Sequence, residues 1–313
     1  MDEMNSNYHA KNFTFDEEVV AGYTISKERK QVWNCELEML KQFDKVCKKN
    51  NISYIAFGGT MLGAIRHKGF IPWDDDIDLA MLRSEYDKLC AVAQDEFQGP
   101  LFFQTTYNDT VFRGHAQLRN SKTTGILQTE LKCKYNFNQG IFLDIFPLDE
   151  YPVSNYKFKK QRLKVNIYKR CLCNYFNAEH NSIKSRILNV LVRRLFKSID
   201  KARSFYSSYE QLCEEHNGEG NGIVGALSVN YGKTVDYMSK EALMDLVNVD
   251  FMDTVIPVPR RYDEILKQHF GDYMKFSKEP STHGDTFFSA DISYKEFIQK
   301  IENGELKEQF FLL

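Results

Sequence analysis

No run of apolar residues in this chain is long enough to span a bilayer, which sets aside an integral membrane helix. Cysteine supplies no framework either. The seven thiols (Cys35, Cys47, Cys90, Cys133, Cys171, Cys173 and Cys213) are scattered and odd in number, with no Cys-x-x-Cys pair and no histidine at zinc spacing. Reduced, mostly buried thiols in a cytoplasmic protein are the expectation. Residues 1–18 are polar and acidic and lack the apolar segment of a secretory leader. Neither charge sign is in surplus: the formal net charge is -2 and the pI is near 6.4, so the whole-chain balance gives no argument for nucleic-acid binding. Internal repeats and low-complexity tracts are missing too.

What is present is enough to bury a real core. The 313 residues are 42% hydrophobic, which fits one large domain or a domain with a helical annex. Residues 1–26 read as a lead-in. Trp33, Leu37, Leu40, Phe43 and Cys47 then recur at helical spacing, predicting an amphipathic helix over 27–49 that Asn50-Asn51 ends. A short strand over 53–57 stops at Gly58-Gly59, and Thr60 is placed to cap a helix reaching about His67. Residues 69–73 read as a loop, 76–81 as a strand, and 84–97 as a helix with Ser84 at its cap. Strand-like runs follow at 101–105, 111–118 and 140–146. Later come an extended Val255–Pro259 and a helix over 262–270.

The composition changes near Tyr151. Residues 155–203 are helical in pattern and carry fourteen lysines and arginines against Glu179 and Asp200 alone. Within them, Ile187–Phe196 sets apolar residues beside Arg193 and Arg194, a pattern consistent either with peripheral contact to a membrane or with a solvated helix packed on the domain. Glycines cluster at 218, 220, 222 and 225 and mark a turn region. The expected layout is a lead-in (1–26), a catalytic core (27–150), a basic helical region (151–217) and a C-terminal part packing on the core (218–313).

The chemistry concentrates between Ala56 and Met81. Glycines between a strand and a helix let the backbone approach a ligand, and the N–H groups at the helix start can receive a phosphate. On the following strand Asp76 and Asp78 share a face, because strand side chains alternate. Adjacent carboxylates repel unless a cation lies between them, and hard oxygen ligands suit Mg²⁺ or Mn²⁺. An exposed acidic turn is the plainer alternative for Asp74-Asp75-Asp76. Asp144 is a lone charge in the apolar run Gly140–Pro147, expensive there unless it is metal-bound or ion-paired. Together Asp76, Asp78 and Asp144 can form a two-metal clamp, which aligns an attacking hydroxyl and neutralises charge on the phosphate and leaving group. Arg66, His67, Lys68, Arg119 and Lys122 are candidate phosphate contacts, with solvated charge as the alternative for each. Trp73 is a candidate to stack on a base or cage a quaternary ammonium, with core packing as its alternative.

These residues resemble the LicD family. The resemblance rests on Gly58-Gly59-Thr60, on the run Leu62 to Asp78 with its Arg66-His67-Lys68-Gly69-Phe70-Ile71-Pro72-Trp73-Asp74-Asp75-Asp76-Ile77-Asp78, on Asp144–Asp149, and on Phe270–Met274. It runs from about Glu28 to His283. It implies an α+β fold, a nucleotidyltransferase-like mixed β-sheet flanked by helices, here with an added basic helical region; fukutin-related proteins share that core. It also implies an activity: transfer of phosphocholine or a related group from a CDP-linked donor such as CDP-choline to a hydroxyl of a cell-surface glycan, glycolipid or teichoic-acid precursor, with release of CMP. By the same resemblance Asp76 and Asp78 hold Mg²⁺ or Mn²⁺, Asp144 completes the metal site and accepts the hydroxyl proton, and Gly58, Gly59 and Thr60 hold phosphate. Asp75 and His283 are further candidates. Such an enzyme works in the cytoplasm, or peripherally at the inner face of the cell membrane. The rival expectations are a nucleotidyltransferase that couples the nucleotide itself to its acceptor, and a non-catalytic binding protein on the same fold.

Overall fold

The computed structural model describes residues 14–20, 22–130, 136–176, 183–220, 222–230, 237–275 and 286–305. His283 lies outside the described residues, as does Cys133. The segment expected to be a lead-in contains a small hairpin, β1 (Glu18–Val20) against β2 (Tyr23–Ile25), with Ile25 fully buried.

Helix α1 (Lys27–Lys49) follows the predicted periodicity, and Trp33, Leu37, Leu40, Phe43 and Cys47 all enter the main core. Its start is fixed by Ser26, whose hydroxyl accepts the Arg29 N–H. Glu28 in the first turn and Lys48 and Lys49 in the last complement the helix dipole. Asn51, in the left-handed region at φ 52°, turns the chain away.

The next elements make the sheet. They are β3 (Ile55–Ala56), α2 (Gly58–Arg66), β4 (Ile77–Leu82), α3 (Arg83–Glu96), β5 (Leu101–Gln104), β6 (Ala116–Asn120), β7 (Thr124–Leu127) and β8 (Ile141–Glu150). Two predicted caps are replaced. Helix α2 begins at Gly58, ahead of Thr60, and α3 begins at Arg83 with no side-chain cap from Ser84. β6 starts only at Ala116, because 111–115 is irregular. β8 outruns the expected strand by four residues. Pro147 lies opposite Met81 of β4 in a stretch where the other edge of β8 has lost β6 and not yet gained its next partner.

The remaining elements are α4 (Asn155–Phe176), α5 (Ile183–Phe196), α6 (Ile199–Glu214), β9 (Ile223–Gly225), α7 (Leu227–Asn230), β10 (Tyr237–Ser239), β11 (Leu246–Phe251), β12 (Thr254–Pro259), α8 (Tyr262–Phe270), β13 (Thr286–Ser289) and α9 (Tyr294–Glu302). Among the described residues the central sheet is mixed and seven-stranded, running β10-β9-β8-β4-β3, with β6 also on β8 and β5 on β6. β4 and β8 are parallel and their neighbours antiparallel; the crossover between them carries α3, β5 and β6. This is the α+β arrangement expected, a mixed sheet flanked by helices.

Two cores result. The larger joins α1, the sheet and apolar residues of the C-terminal part such as Phe251, Ile256 and Leu266. The smaller belongs to α4, α5 and α6, around Leu172, Phe176, Phe196 and Tyr209. Arg83 pins the two together: its guanidinium donates two hydrogen bonds to the fully buried Asp149 and lies 3.6 Å from Glu210 of α6. Six described cysteines are free; Cys47 and Cys213 are buried, and Cys35, Cys90, Cys171 and Cys173 are half-buried, so burial is less general than expected. No described helix is long and apolar enough to cross a membrane.

Candidate active site

The carboxylates are brought together by strand register. Asp78 of β4 lies opposite Asp144 of β8 on one parallel rung, and the same residue of β8 lies opposite Gln117 of β6. Asp76 precedes β4 and is two residues from Asp78, so it projects on the same side. Ligand oxygens of Asp76, Asp78 and Asp144 all fall within 4.8 Å of one another. Asp74, Asp75 and Asp76 form a second such group, which gives Asp75 a place beside the triad.

Burial makes this arrangement costly without a cation. Burial first, and then the charges of Asp78, Asp74, Asp75 and Asp144, hold the Asp76 carboxyl well above the usual carboxylate range. A set of carboxylates this close, at the end of an apolar strand, matches the ligand chemistry of a hard divalent cation. The acidic groups here could hold a metal ion.

Gly58 and Gly59 open the first turn of α2 directly against these acids. A Cβ on Gly58, which sits at φ 50°, would come 3.3 Å from Asp78 Oδ2; one on Gly59 would come 2.8 Å from Asp74 Oδ2. Only glycine leaves that space clear between the helix N-terminus and the carboxylates. Thr60 has a different task from capping: its hydroxyl accepts the Asp78 N–H at 2.7 Å and ties α2 to the acidic strand. The Asp74 carbonyl accepts from Arg29 at 2.9 Å and from the Trp33 indole at 3.0 Å, so α1 clamps the acidic loop from behind.

Asp144 is oriented by residues that the motif reading did not single out. His115 Nε2 lies 3.1 Å from Asp144 Oδ1, and the Gln117 amide donates to the same oxygen at 2.5 Å. Gln117 is held in turn by Arg119, whose guanidinium donates to its Oε1 from two nitrogens. His115 and Gln117 alternate with Ala116 and Leu118 within the strand expected over 111–118, and that period-two alternation leading to Arg119 is the signal that could have found them. Glu36 was missed as well. It lies within α1, fully buried, with no hydrogen bond to either carboxylate oxygen. Burial, then the charges of Asp75 and Asp74, hold its carboxyl well above the usual range. Its signal was faint, a single acid within the apolar stripe of α1.

The expected phosphate contacts divide. Arg119 is corrected outright: it is fully buried, donates also to Gln104 and to the Gly125 and Gly140 carbonyls, and stacks over Phe142. Lys122 is exposed, two residues beyond Asn120, which itself lies three ladder steps or roughly 10 Å from the Gln117–Asp144 rung. Arg66 is half-buried and donates to the Tyr273 carbonyl at 2.8 Å, which joins the first motif to the late Phe270–Met274 segment. Burial, then the Arg66 charge, pushes the His67 ring down to about 4, so that it is neutral near pH 7. Lys68 is exposed, at φ 56°. Trp73 packs against the core, edge-on to Tyr23 and His67. A separate open cleft of about 470 Å³ at the β9–β10 edge, lined by Ile223, Tyr237, Met238 and Glu241 among others, holds none of these acids.

Comparison with known proteins bears on the same residues. Residues 51–174 match the family described as "LicD/FKTN/FKRP, nucleotidyltransferase domain", a span that contains Gly58, Gly59, the three acids, His115 and Gln117. The chain is 30% identical over 256 residues to the "Lipopolysaccharide cholinephosphotransferase LicD" of Haemophilus influenzae, covering 78% of this chain and 90% of that protein. It is 28% identical over 152 residues to an uncharacterised protein of Rickettsia prowazekii, covering 46% of this chain and 53% of that one. With the glycine turn, the paired acids and a match over nine-tenths of a characterised relative in agreement, this chain belongs to the LicD family.

Proposed function

We propose that this protein transfers phosphocholine or a closely related phosphate-bearing group from a CDP-activated donor to a hydroxyl of a glycolipid such as lipopolysaccharide, or of a teichoic-acid precursor, and releases CMP. The observation that carries the reading is the convergence of Asp76, Asp78 and Asp144 in front of the glycine turn of α2. The acceptor class draws support from the lipopolysaccharide named for the Haemophilus relative. A CDP-linked donor places the reaction on the cytoplasmic side of the membrane.

In this reading the donor phosphates lie against Gly58 and Gly59, with the first N–H groups of α2 directed at them. Asp76 and Asp78 hold Mg²⁺ or Mn²⁺, and Asp144 completes the set. When bound, that ion neutralises charge on the phosphates and on the leaving group. The acceptor oxygen bonds to the distal phosphorus, the bond from that phosphorus to the CMP oxygen breaks, and Asp144 takes the hydroxyl proton. His115 and Gln117 fix the rotation of Asp144 through its Oδ1. Arg66, His67 and Lys68 follow α2, and Lys68 is the one with an exposed ammonium. Trp73 borders the donor in this reading, and its half-buried position next to the acidic loop supports that role.

The test is a product assay with CDP-choline, Mg²⁺ and a lipopolysaccharide acceptor. CMP release that depends on both acceptor and metal is expected. Pyrophosphate release from a nucleoside triphosphate would move the protein to the nucleotide-coupling class. Donor binding without any turnover over a panel of CDP-linked donors would make it a binding protein.

A further inference from the structure

The basic helical region has a face that the transferase reading does not use. On α4, Gln161, Val165 and Leu172 point into the smaller core. Leu163 and Ile167 lie on the opposite side, each more than half exposed. On α5, Val192 and Phe196 are buried, while Ile187, Val190, Leu191 and Leu195 face away from them, also more than half exposed. Spacings of three and four residues place each set on one stripe of its helix. Isolated exposed leucines are ordinary, but aliphatic stripes on two contacting helices are not.

The same faces carry positive charge. By helical spacing Lys159, Lys160 and Arg170 share the outer side of α4 with Leu163 and Ile167, and all three are exposed. Arg194 lies one turn from Val190 and Leu191, and Lys197 ends the helix; both are exposed. Over residues 155–203 fourteen basic residues face two acids, in a chain whose net charge is -2. The positive charge is therefore gathered here while the rest of the molecule is acidic.

We propose that α4 and α5 form a membrane-docking face, which lays its aliphatic stripes into the interface of a bilayer rich in anionic lipid while its lysines and arginines meet the headgroups. Both halves of such binding are present, apolar area to insert and charge to attract, and neither is strong alone. The charge argues against a second copy of the chain as occupant, because two such faces repel. The aliphatic character argues against a nucleic acid, which is held by lysine and arginine with aromatic stacking surfaces. The inference stands apart from the transferase reading, since it needs neither donor nor metal.

The experiment is flotation of the full-length protein with vesicles of phosphatidylcholine alone or with about one-third phosphatidylglycerol, in EDTA, at roughly 0.05 M and 0.5 M NaCl. Capture by the anionic vesicles at low salt is expected, with weak capture by phosphatidylcholine and loss at high salt. The double variant Leu191→Ser/Leu195→Ser should bind at least about tenfold less tightly, and Arg194→Glu should do the same. These side chains are exposed, so melting should not change; Leu163→Ser on α4 provides a second variant should α5 prove sensitive. Lys48→Glu, on α1, should bind as wild type. No capture at low salt overturns the proposal, as does capture that neither α5 variant weakens. RNA binding in the absence of vesicle capture would assign the face to a polyanion, and dimerisation abolished by the leucine variants, again without capture, would assign it to a second copy; either result overturns the proposal.

Discussion

Asp78 and Asp144 stand opposite each other on a single rung of the parallel β4–β8 pair, although 65 residues of chain separate them. Like charges placed directly across a ladder destabilise a sheet. With Asp76 they form a group whose carboxylate oxygens lie within 4.8 Å of one another and could hold a metal ion. Gln117 extends the rung onto β6, so three neighbouring strands contribute to one row of polar side chains.

The first prediction follows from that row. Asp78→Asn keeps the shape and removes a charge, so turnover of a CDP-linked donor with Mg²⁺ should fall by at least about a hundredfold. In EDTA the same variant should melt at or above the wild-type temperature, because one repulsion is gone. Magnesium should raise the melting temperature of wild type and much less that of the variant. Near-normal turnover in a folded variant would remove the metal role from Asp78.

Gln117 links a buried cation to a site carboxylate. Gln117→Leu leaves Asp144 one hydrogen bond short and takes an acceptor from the buried Arg119, itself pushed down to about 9 chiefly by burial. A stability loss of about 1–3 kcal/mol is expected in urea unfolding. Activity or metal affinity should drop on the order of tenfold to a hundredfold, as for other residues that orient a metal ligand. A variant unchanged in both would show that Gln117 does not orient Asp144.

Glu36 sets a pH dependence with a definite sign. Its carboxyl is raised above the ordinary 4.5, so the folded chain binds that proton more tightly than the unfolded chain. The associated stability is fully present below 4.5 and is lost as pH rises through the folded value. Glu36→Gln keeps a neutral group at every pH. In EDTA the variant should therefore melt higher than wild type at about pH 7.5, and the two should converge near about pH 4. Asp76 has the same sign but is common to both proteins, so the difference isolates Glu36. A constant offset across the range would assign the effect to packing.

The glycine turn should tolerate no side chain. Gly58→Ala places a Cβ at φ 50° and should cost about 1–2 kcal/mol of stability. Gly59→Ala puts its Cβ 2.8 Å from an Asp74 oxygen, which must then shift. Donor binding, measured by calorimetry, should weaken for both variants. Unimpaired binding by Gly59→Ala would show that the phosphates lie elsewhere.

Much of the site was legible because it is local. Gly58-Gly59 and the acidic strand lie within 21 residues, and period-two alternation states which acids share a face. Asp144 was legible for another reason, since a single charge in an apolar strand demands a partner. Arg119 misled the reading because a charged residue in sequence says nothing of its depth: here backbone carbonyls and Gln117 satisfy a guanidinium that no solvent reaches. Pro147 shortened the predicted β8 because the gap between β6 and β9 along its edge is a fact of pairing.

The sequence by itself determined the elements and their chemistry: the amphipathic α1, the alternating β4, the glycine turn, the three acids and the gathering of positive charge over 155–203. These depend on spacing within one segment, where the periods of helix and strand suffice. Only the tertiary structure decided which distant residues meet. It placed Asp78 and Asp144 on one rung, set His115 and Gln117 on the same Asp144 oxygen, buried Glu36 behind the acidic loop, and turned the leucines of α5 outward. Register between strands and the depth of a side chain arise from how the whole chain packs, and no local period encodes them.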